Sequence, residues 1–217
     1  FEGGVINRRG DIVHKNTVSD YQIIEQEYQN SVYSTLLYTE YNDKKINILD
    51  TPGMDDFCGG VVSSLEVTGL GIMLLSASNG IEAGTESAAR HAEKKKTPLV
   101  FVVNQLDHEN ANFEQAVEQA KAYFGNKVTV VQYPVDAGPG FSSIVDVLKM
   151  KLYKYGPEGG KPEVLDIPAS EKDKAEELHN QLIEMAAENE ESLMELYFDQ
   201  GSLSEDDMRK GMKIGMM

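Results

Sequence analysis

The segment "KKINILDTPGMDDFCGG", Lys44 to Gly60, begins as what reads as a buried, apolar strand and runs straight into an Asp-Thr-Pro-Gly turn. A carboxylate at that strand end, Asp50, can hold a magnesium ion through water. Gly53 can offer its backbone N–H to a terminal phosphate where a side chain would obstruct the approach. Asp50, Thr51, Pro52 and Gly53 therefore form the first candidate nucleotide site. The next residue, Met54, stands where a hydrolytic enzyme would want a polar group.

Upstream, "VYSTLLYTEY" (Val32 to Tyr41) has the β-branched and aromatic content of a strand, and Asn42-Asp43 supplies a turn into its partner. Downstream, "GLGIMLLSAS" and "TPLVFVVNQLD" are near-continuous apolar runs of the kind that parallel strands show beneath covering helices. "EAGTESAARHAEKKK" reads as the crossover helix between them, and "HENANFEQAVEQAKAYFG" as a second helix ended by Gly125. One more strand is expected in "NKVTVVQYPV".

The pattern changes after Gly138-Pro139-Gly140. "FSSIVDVLKMKLYKY" fits both helical and strand periods over short stretches and leans to strand. "GPEGGKPEVLDIP" reads as a loop. The acidic stretch that follows, Glu171 to Glu195, is helical with a break near "AENEES", and a capping box from Ser202 to Glu205 opens a last helix. The organisation read from this pass is a core over residues 1–135 and a smaller α/β subdomain over 136–217.

The second candidate site is "VVNQLD". Asn104, Gln105 and Asp107 lie beyond an apolar strand end, where open α/β sheets bind ligands. An aspartate there can accept both a ring N–H and an exocyclic amine from guanine, which selects guanine over adenine.

The order and spacing of these segments resemble translation elongation factor G, most closely a Bacteroidetes-type paralogue. "IEQEYQNSVYST" resembles the family's first switch, which reads Glu-Gln-Glu and then Arg-Gly-Ile-Thr-Ile. "DTPGMDDF" is similar to Asp-Thr-Pro-Gly-His-Val-Asp-Phe, and "VVNQLDHENANF" to Val-Asn-Lys-Met-Asp-Arg-x-x-Ala-Asn-Phe. The tail resembles the insert this factor carries within its GTPase domain.

The resemblance implies a P-loop GTPase-type fold, mostly a parallel sheet with helices on both faces. It implies GTP or GDP and magnesium as ligands. The expected partners are the ribosome, including a stalk protein at the acidic insert, and tRNA and mRNA indirectly during translocation.

Departures from the family pattern shape the functional expectation. The phosphate loop Gly-x-x-x-x-Gly-Lys-Ser/Thr, which in the family precedes a segment like "FEGGVI", is not in the chain, nor is the first strand. Both ends read as cut, and tight nucleotide binding by this chain alone is not expected. The magnesium-coordinating switch threonine falls at Tyr33, and the water-positioning histidine falls at Met54, whose thioether cannot orient water usefully. Gln105 replaces a lysine whose stem would pack on the nucleotide. The expectation is a factor that binds guanine nucleotide with impaired hydrolysis. The alternatives are a competent translational GTPase, with Asp55 or Asp56 taking the histidine's role, and a ribosome-binding protein that keeps the scaffold without using nucleotide.

Composition narrows the partners. With 20 Lys plus Arg against 36 Asp plus Glu, the net charge of −16 opposes non-specific binding to DNA, RNA or anionic membrane. Neither a signal peptide nor an apolar run of membrane-spanning length is visible. The single cysteine, Cys58, has no internal partner, which suggests a reducing compartment such as cytoplasm. His14, His91, His108 and His179 have no metal-ligand spacing. Arg8 and Arg9 are minor candidates for phosphate contact. Met208, Met212, Met216 and Met217 are expected on the apolar face of the last helix.

Overall fold

A computed structural model describes residues 3–125, 128–157 and 159–216. Met217 and parts of three expected segments, at Phe1-Glu2, Asn126-Lys127 and Glu158, lie outside these residues. The chain forms two compact units: Phe1–Gly71 with Glu82–Val100, and Ile72–Ile81 with Phe101–Met217. Among the described residues no helix is long and apolar enough to cross a membrane.

The first unit opens with an irregular segment and a short helix, α1 (Ile23–Tyr28), followed by the expected hairpin. Strands β1 (Thr35–Tyr41) and β2 (Lys44–Asp50) pair antiparallel from Thr35 opposite Asp50 to Tyr41 opposite Lys44. Asn42 and Asp43 both adopt positive φ, 49° and 58°. That is the backbone a two-residue hairpin turn requires, and these residue types reach it at low cost. A single 3-10 turn, Asp55–Phe57, leads into α2 (Cys58–Leu65), which packs against α3 (Ala83–Lys95). Lys95 pairs with Glu66 across that contact.

Strand β3 (Gly71–Ser76) neighbours β4 (Leu99–Asn104), and both run into the second unit, β3 from Ile72 and β4 from Phe101. Gly71 N–H donates to the Pro98 carbonyl and Ala77 N–H to that of Asn104, so the register advances in the same direction along both strands. The pair is parallel, as expected for two strands joined by the α3 crossover. Met73 and Leu75 are buried, while Ile72 and Leu74 on the alternate face are 66% and 62% exposed. Helix α4 (Phe113–Phe124) starts at Asn112, whose Oδ1 accepts the Gln115 N–H, and ends at Gly125 with φ 88°.

The remainder of this unit is an antiparallel sheet, β5 (Gln132–Pro134), β6 (Ser143–Asp146), β7 (Lys151–Lys154) and β8 (Glu163–Leu165), with helices α5 (Lys172–Glu188), α6 (Glu191–Gln200) and α7 (Glu205–Met216). The register aligns Tyr133, Val145, Leu152 and Leu165 in one row across the four strands. That row and Leu182, Ile183, Ala186 and Met208 from the helices form the main core. Burial pushes the Tyr133 hydroxyl pKa up, and Glu171 beside it adds to the effect.

Four element readings need correction. Strand β2, expected to be buried, is exposed from Lys44 to Ile48, and the stretch "GPEGGKPEVLDIP", expected to be a loop, contains β8, which pairs antiparallel with β7. The strand in "NKVTVVQYPV" is confined to Gln132–Pro134 and pairs antiparallel with β6 instead of extending the parallel pair. Gly138 and Gly140, at φ 109° and 95°, reverse the chain immediately after it, so the next strand returns alongside. The last helix is capped by Ser204, not Ser202. The Ser204 hydroxyl accepts the Asp207 N–H at 3.2 Å and donates to the Asp207 carboxylate at 2.5 Å. The sequence "SLSED" holds overlapping Ser-x-x-acid spacings, and α7 begins one residue after the second serine.

The strand reading of "FSSIVDVLKMKLYKY" becomes a hairpin, turned at Met150 with φ 51°. The acidic helix breaks at Asn189-Glu190. Met208 is buried at the core, while Met216 is 41% exposed.

Candidate functional site

Each half of the sequence-predicted site lies within one compact unit. In the first unit, Asp50 ends β2 half-buried, directly opposite Thr35. Pro52 is fully buried. It is gripped by α2, where a Cβ on Gly60 would come within 2.6 Å of Ser34 Oγ and 3.2 Å of Pro52 Cδ. The small residue at 60 lets the helix close on the turn. Gly84 does the same for α3, since a Cβ there would lie 2.9 Å from the Gly53 carbonyl oxygen.

Gly53 itself is different. An added Cβ would meet nothing within 4 Å, and its φ is not in the left-handed region. Neither packing nor backbone conformation calls for glycine at 53, and the lack of a side chain there would let a phosphate come close to the backbone. The residues at this turn therefore fit an anion held beside a cation at Asp50. Met54 follows with 48% of its surface exposed, and its carbonyl accepts the Phe57 N–H at 3.0 Å to start the 3-10 turn. Asp55 and Asp56 on that turn are exposed.

Tyr33 is 57% exposed, and its backbone N–H donates to Glu25 Oε1 at 3.0 Å. A phenol is a poor magnesium ligand beside the hard oxygen donors that ion prefers. Tyr33 does not fit the role the family pattern gives its position. Thr35, not singled out in the sequence, faces Asp50 in the hairpin register, and its hydroxyl donates to the Ser19 carbonyl at 2.9 Å.

In the second unit, Asn104 closes β4 and its carbonyl accepts the Ala77 N–H at 2.9 Å. The chain then turns sharply. Gln105 takes φ 61°, Gln105 O accepts from His108 N–H at 3.2 Å, and Gly138 N–H donates to Leu106 O at 2.7 Å. Asn104, Gln105 and Asp107 are left exposed around this turn. The hydroxyl of Ser76, at the end of β3, donates to Gln105 Oε1 at 3.0 Å. This fixes the carboxamide and leaves its NH2 outward as a donor. Nothing in the local sequence pattern announced Ser76 as a partner, because 29 residues separate the two.

Asp50 and Gly53 suit a magnesium-phosphate group, and Asn104 and Asp107 suit a guanine edge. Tyr33 and Met54 do not suit magnesium coordination and water activation. Among the described residues, no group of three His, Cys, Asp or Glu side chains forms a metal cluster.

A crystal structure of a protein from Thermus thermophilus superposes with a TM-score of 0.90 at 22% sequence identity, covering 99% of this chain. The chain spans 32% of that protein's length. This likeness establishes the fold. The family model described as the elongation factor Tu GTP binding domain matches residues 1–192. The chain belongs to the family of elongation factor Tu GTP-binding domains, the guanine-nucleotide-binding domains of translational GTPases.

Proposed function

We propose that this chain is the nucleotide-binding region of an elongation factor G-type translation factor of the Bacteroidetes-type paralogue class, one that binds guanine nucleotide but hydrolyses it slowly or not at all. The observation that carries the reading is the exposed Met54 immediately after the open Gly53. The anion-facing turn is retained while the residue that would orient water carries a thioether.

The bound nucleotide with magnesium supplies the phosphoryl group that hydrolysis transfers to water. Asp50 would hold the ion through water, and Gly53 would offer its backbone N–H to the terminal phosphate. Thr51 and Pro52 set the turn. Asp107 would accept from the guanine ring and its amine with Asn104 beside it, and Gln105 lacks the stem with which a lysine would pack on the nucleotide. Loss of a water-orienting contact typically costs about 2.7–4 kcal/mol, roughly a hundred- to a thousandfold in rate.

The wider role is ribosomal, in tRNA and mRNA translocation, and cytoplasmic. The insert begins at about Asp136, and the negative charge of its acidic α5, with Glu176, Glu177 and Glu184 exposed, suits a basic stalk protein. A reading in which hydrolysis survives rests on the exposed Asp55 and Asp56 beside Met54.

Equilibrium binding of fluorescent GDP and GTP to the intact factor, with ATP as control, tests the ligand class. Guanine nucleotides are expected to bind and ATP not, and Asp107→Ala is expected to weaken binding roughly ten- to a hundredfold, the worth of charged hydrogen bonds. Equal affinity for ATP would overturn the reading.

A further inference from the structure

A buried carboxylate stands at the centre of the segment from Ser19 to Thr35. Glu25, on α1, is 1% exposed. Its Oε1 accepts the backbone N–H of Val32 and of Tyr33, each at 3.0 Å, and its Oε2 accepts that of Gln22 at 3.2 Å. Its own carbonyl accepts the Asn30 N–H at 3.3 Å, after Gln29 turns the chain back at φ 56°. Two further straps close the loop: the Ser31 hydroxyl donates to Asp20 Oδ1 at 2.7 Å, and the Thr35 hydroxyl to the Ser19 carbonyl.

These bonds, from Gln22, Ser31, Val32, Tyr33 and Thr35, all tie the segment to itself. A buried carboxylate that loses its donors is left unsatisfied, so opening the loop carries a desolvation cost beyond the hydrogen bonds themselves. In nucleotide switches of this kind the corresponding segment is commonly ordered by the terminal phosphate and its magnesium, and is released after hydrolysis.

We propose that Glu25 is a positioning residue that holds Val32 and Tyr33 in place independently of nucleotide, so that this switch segment does not report which nucleotide is bound. The inference rests on the nucleotide-binding reading above only for the identity of the segment as a switch. A ligand shifts a conformational equilibrium only by its differential affinity for the two states. With Tyr33 in place of a magnesium ligand, and Glu25 already holding its amide, the terminal phosphate has no differential contact to offer here.

The test is amide hydrogen exchange of Val32 and Tyr33 in the intact factor, measured nucleotide-free, with GDP, and with a non-hydrolysable GTP analogue. Both amides are expected to exchange at least about a hundredfold more slowly than unstructured ones in all three states, with less than about threefold variation among states. Glu25→Ala is expected to raise their exchange at least tenfold, on the order of the loss of a charge-assisted hydrogen bond. Glu25→Gln, whose amide oxygen still accepts, is expected to raise it less, with the α5 amides unchanged in both variants.

Unprotected amides in the nucleotide-free protein that gain protection only with the GTP analogue would overturn the proposal. So would unchanged exchange in Glu25→Ala. Nucleotide binding is measured on the same samples. A factor that binds no guanine nucleotide yet protects these amides refutes the ligand reading and leaves the clamp standing.

Discussion

At Gly53 a methyl group would meet no other atom within 4 Å, and the backbone lies outside the left-handed region. Gly53→Ala is therefore expected to leave the unfolding midpoint within about 0.5 kcal/mol of wild type. Guanine-nucleotide affinity of the intact factor is expected to fall roughly three- to tenfold, the worth of one obstructed hydrogen bond. Denaturant unfolding and equilibrium binding separate the two, and a large loss of stability would show that the glycine serves the fold. Glu25 gives a second test. Burial raises its pKa, but the N–H donors of Tyr33, Val32 and Gln22 outweigh burial and hold it below the ordinary glutamate value. A depressed folded-state pKa contributes stability that is present above the unfolded value of about 4.3 and is lost as pH falls through the folded value. The stability gap between wild type and Glu25→Gln is thus expected to be widest near neutral pH and to close as pH drops below about 4. Urea unfolding at stepped pH reads it, and a gap that does not change with pH would contradict the assignment. In the sequence, Gly53 and Glu25 stood out by their places in short patterns. The bonds from Glu25 to Val32 and Tyr33 did not, because no local pattern encodes which amides a carboxylate will meet.

Among the elements, the hairpin was legible because β-branched and aromatic runs flank Asn42-Asp43, residues that accept the left-handed turn observed there. The parallel strands and α3 were legible from their apolar runs and the helical stretch between them. The short strand β5 was not, since its neighbour is chosen by the glycine turn after it and not by its own composition. The cap of α7 was misplaced for a related reason: two serines offer overlapping spacings, and only the three-dimensional end of α6 at Gly201 selects Ser204. Helices α5 and α7 meet at Gly211, where a Cβ would run into the carbonyl of Ala186. Gly211→Ala is expected to destabilise by about 1–3 kcal/mol through overpacking. Thermal unfolding checks it, and an unchanged midpoint would mean that the helices separate freely. On the proposal that the exposed side of α5 docks a stalk protein, reversing Glu176, Glu177 and Glu184 to lysine is expected to weaken that binding at least tenfold, with salt reducing the wild-type affinity. Unaltered binding would remove the acidic helix as a docking surface.

Across the molecule, burial is unevenly shared. The large buried apolar side chains lie in the unit that contains β5–β8 and α5–α7, whereas the fully buried large side chains of the other unit are Glu25 and Pro52. Hydrogen exchange of the chain is expected to be slowest in α5, around Leu182 and Ala186, and faster by orders of magnitude in the β1–β2 hairpin. Equal protection of the two would contradict this distribution. The same division explains what the sequence could and could not reveal of the site. Its two halves are contiguous motifs, Asp50 to Met54 and Asn104 to Asp107, and contiguous motifs survive reading as a string. Their supports, Gly60, Gly84, Thr35 and Ser76, come from elsewhere in the chain and emerge only when it is folded. The central claim, a nucleotide turn kept for binding and stripped of water activation at Met54, is tested most directly by single-turnover GTP hydrolysis on ribosomes. The intact factor would be compared with its Met54→His variant at matched nucleotide occupancy. The account predicts that wild type binds GTP with little or no turnover and that histidine raises the rate, by up to roughly a hundredfold. Wild-type turnover equal to that of the histidine variant would contradict it.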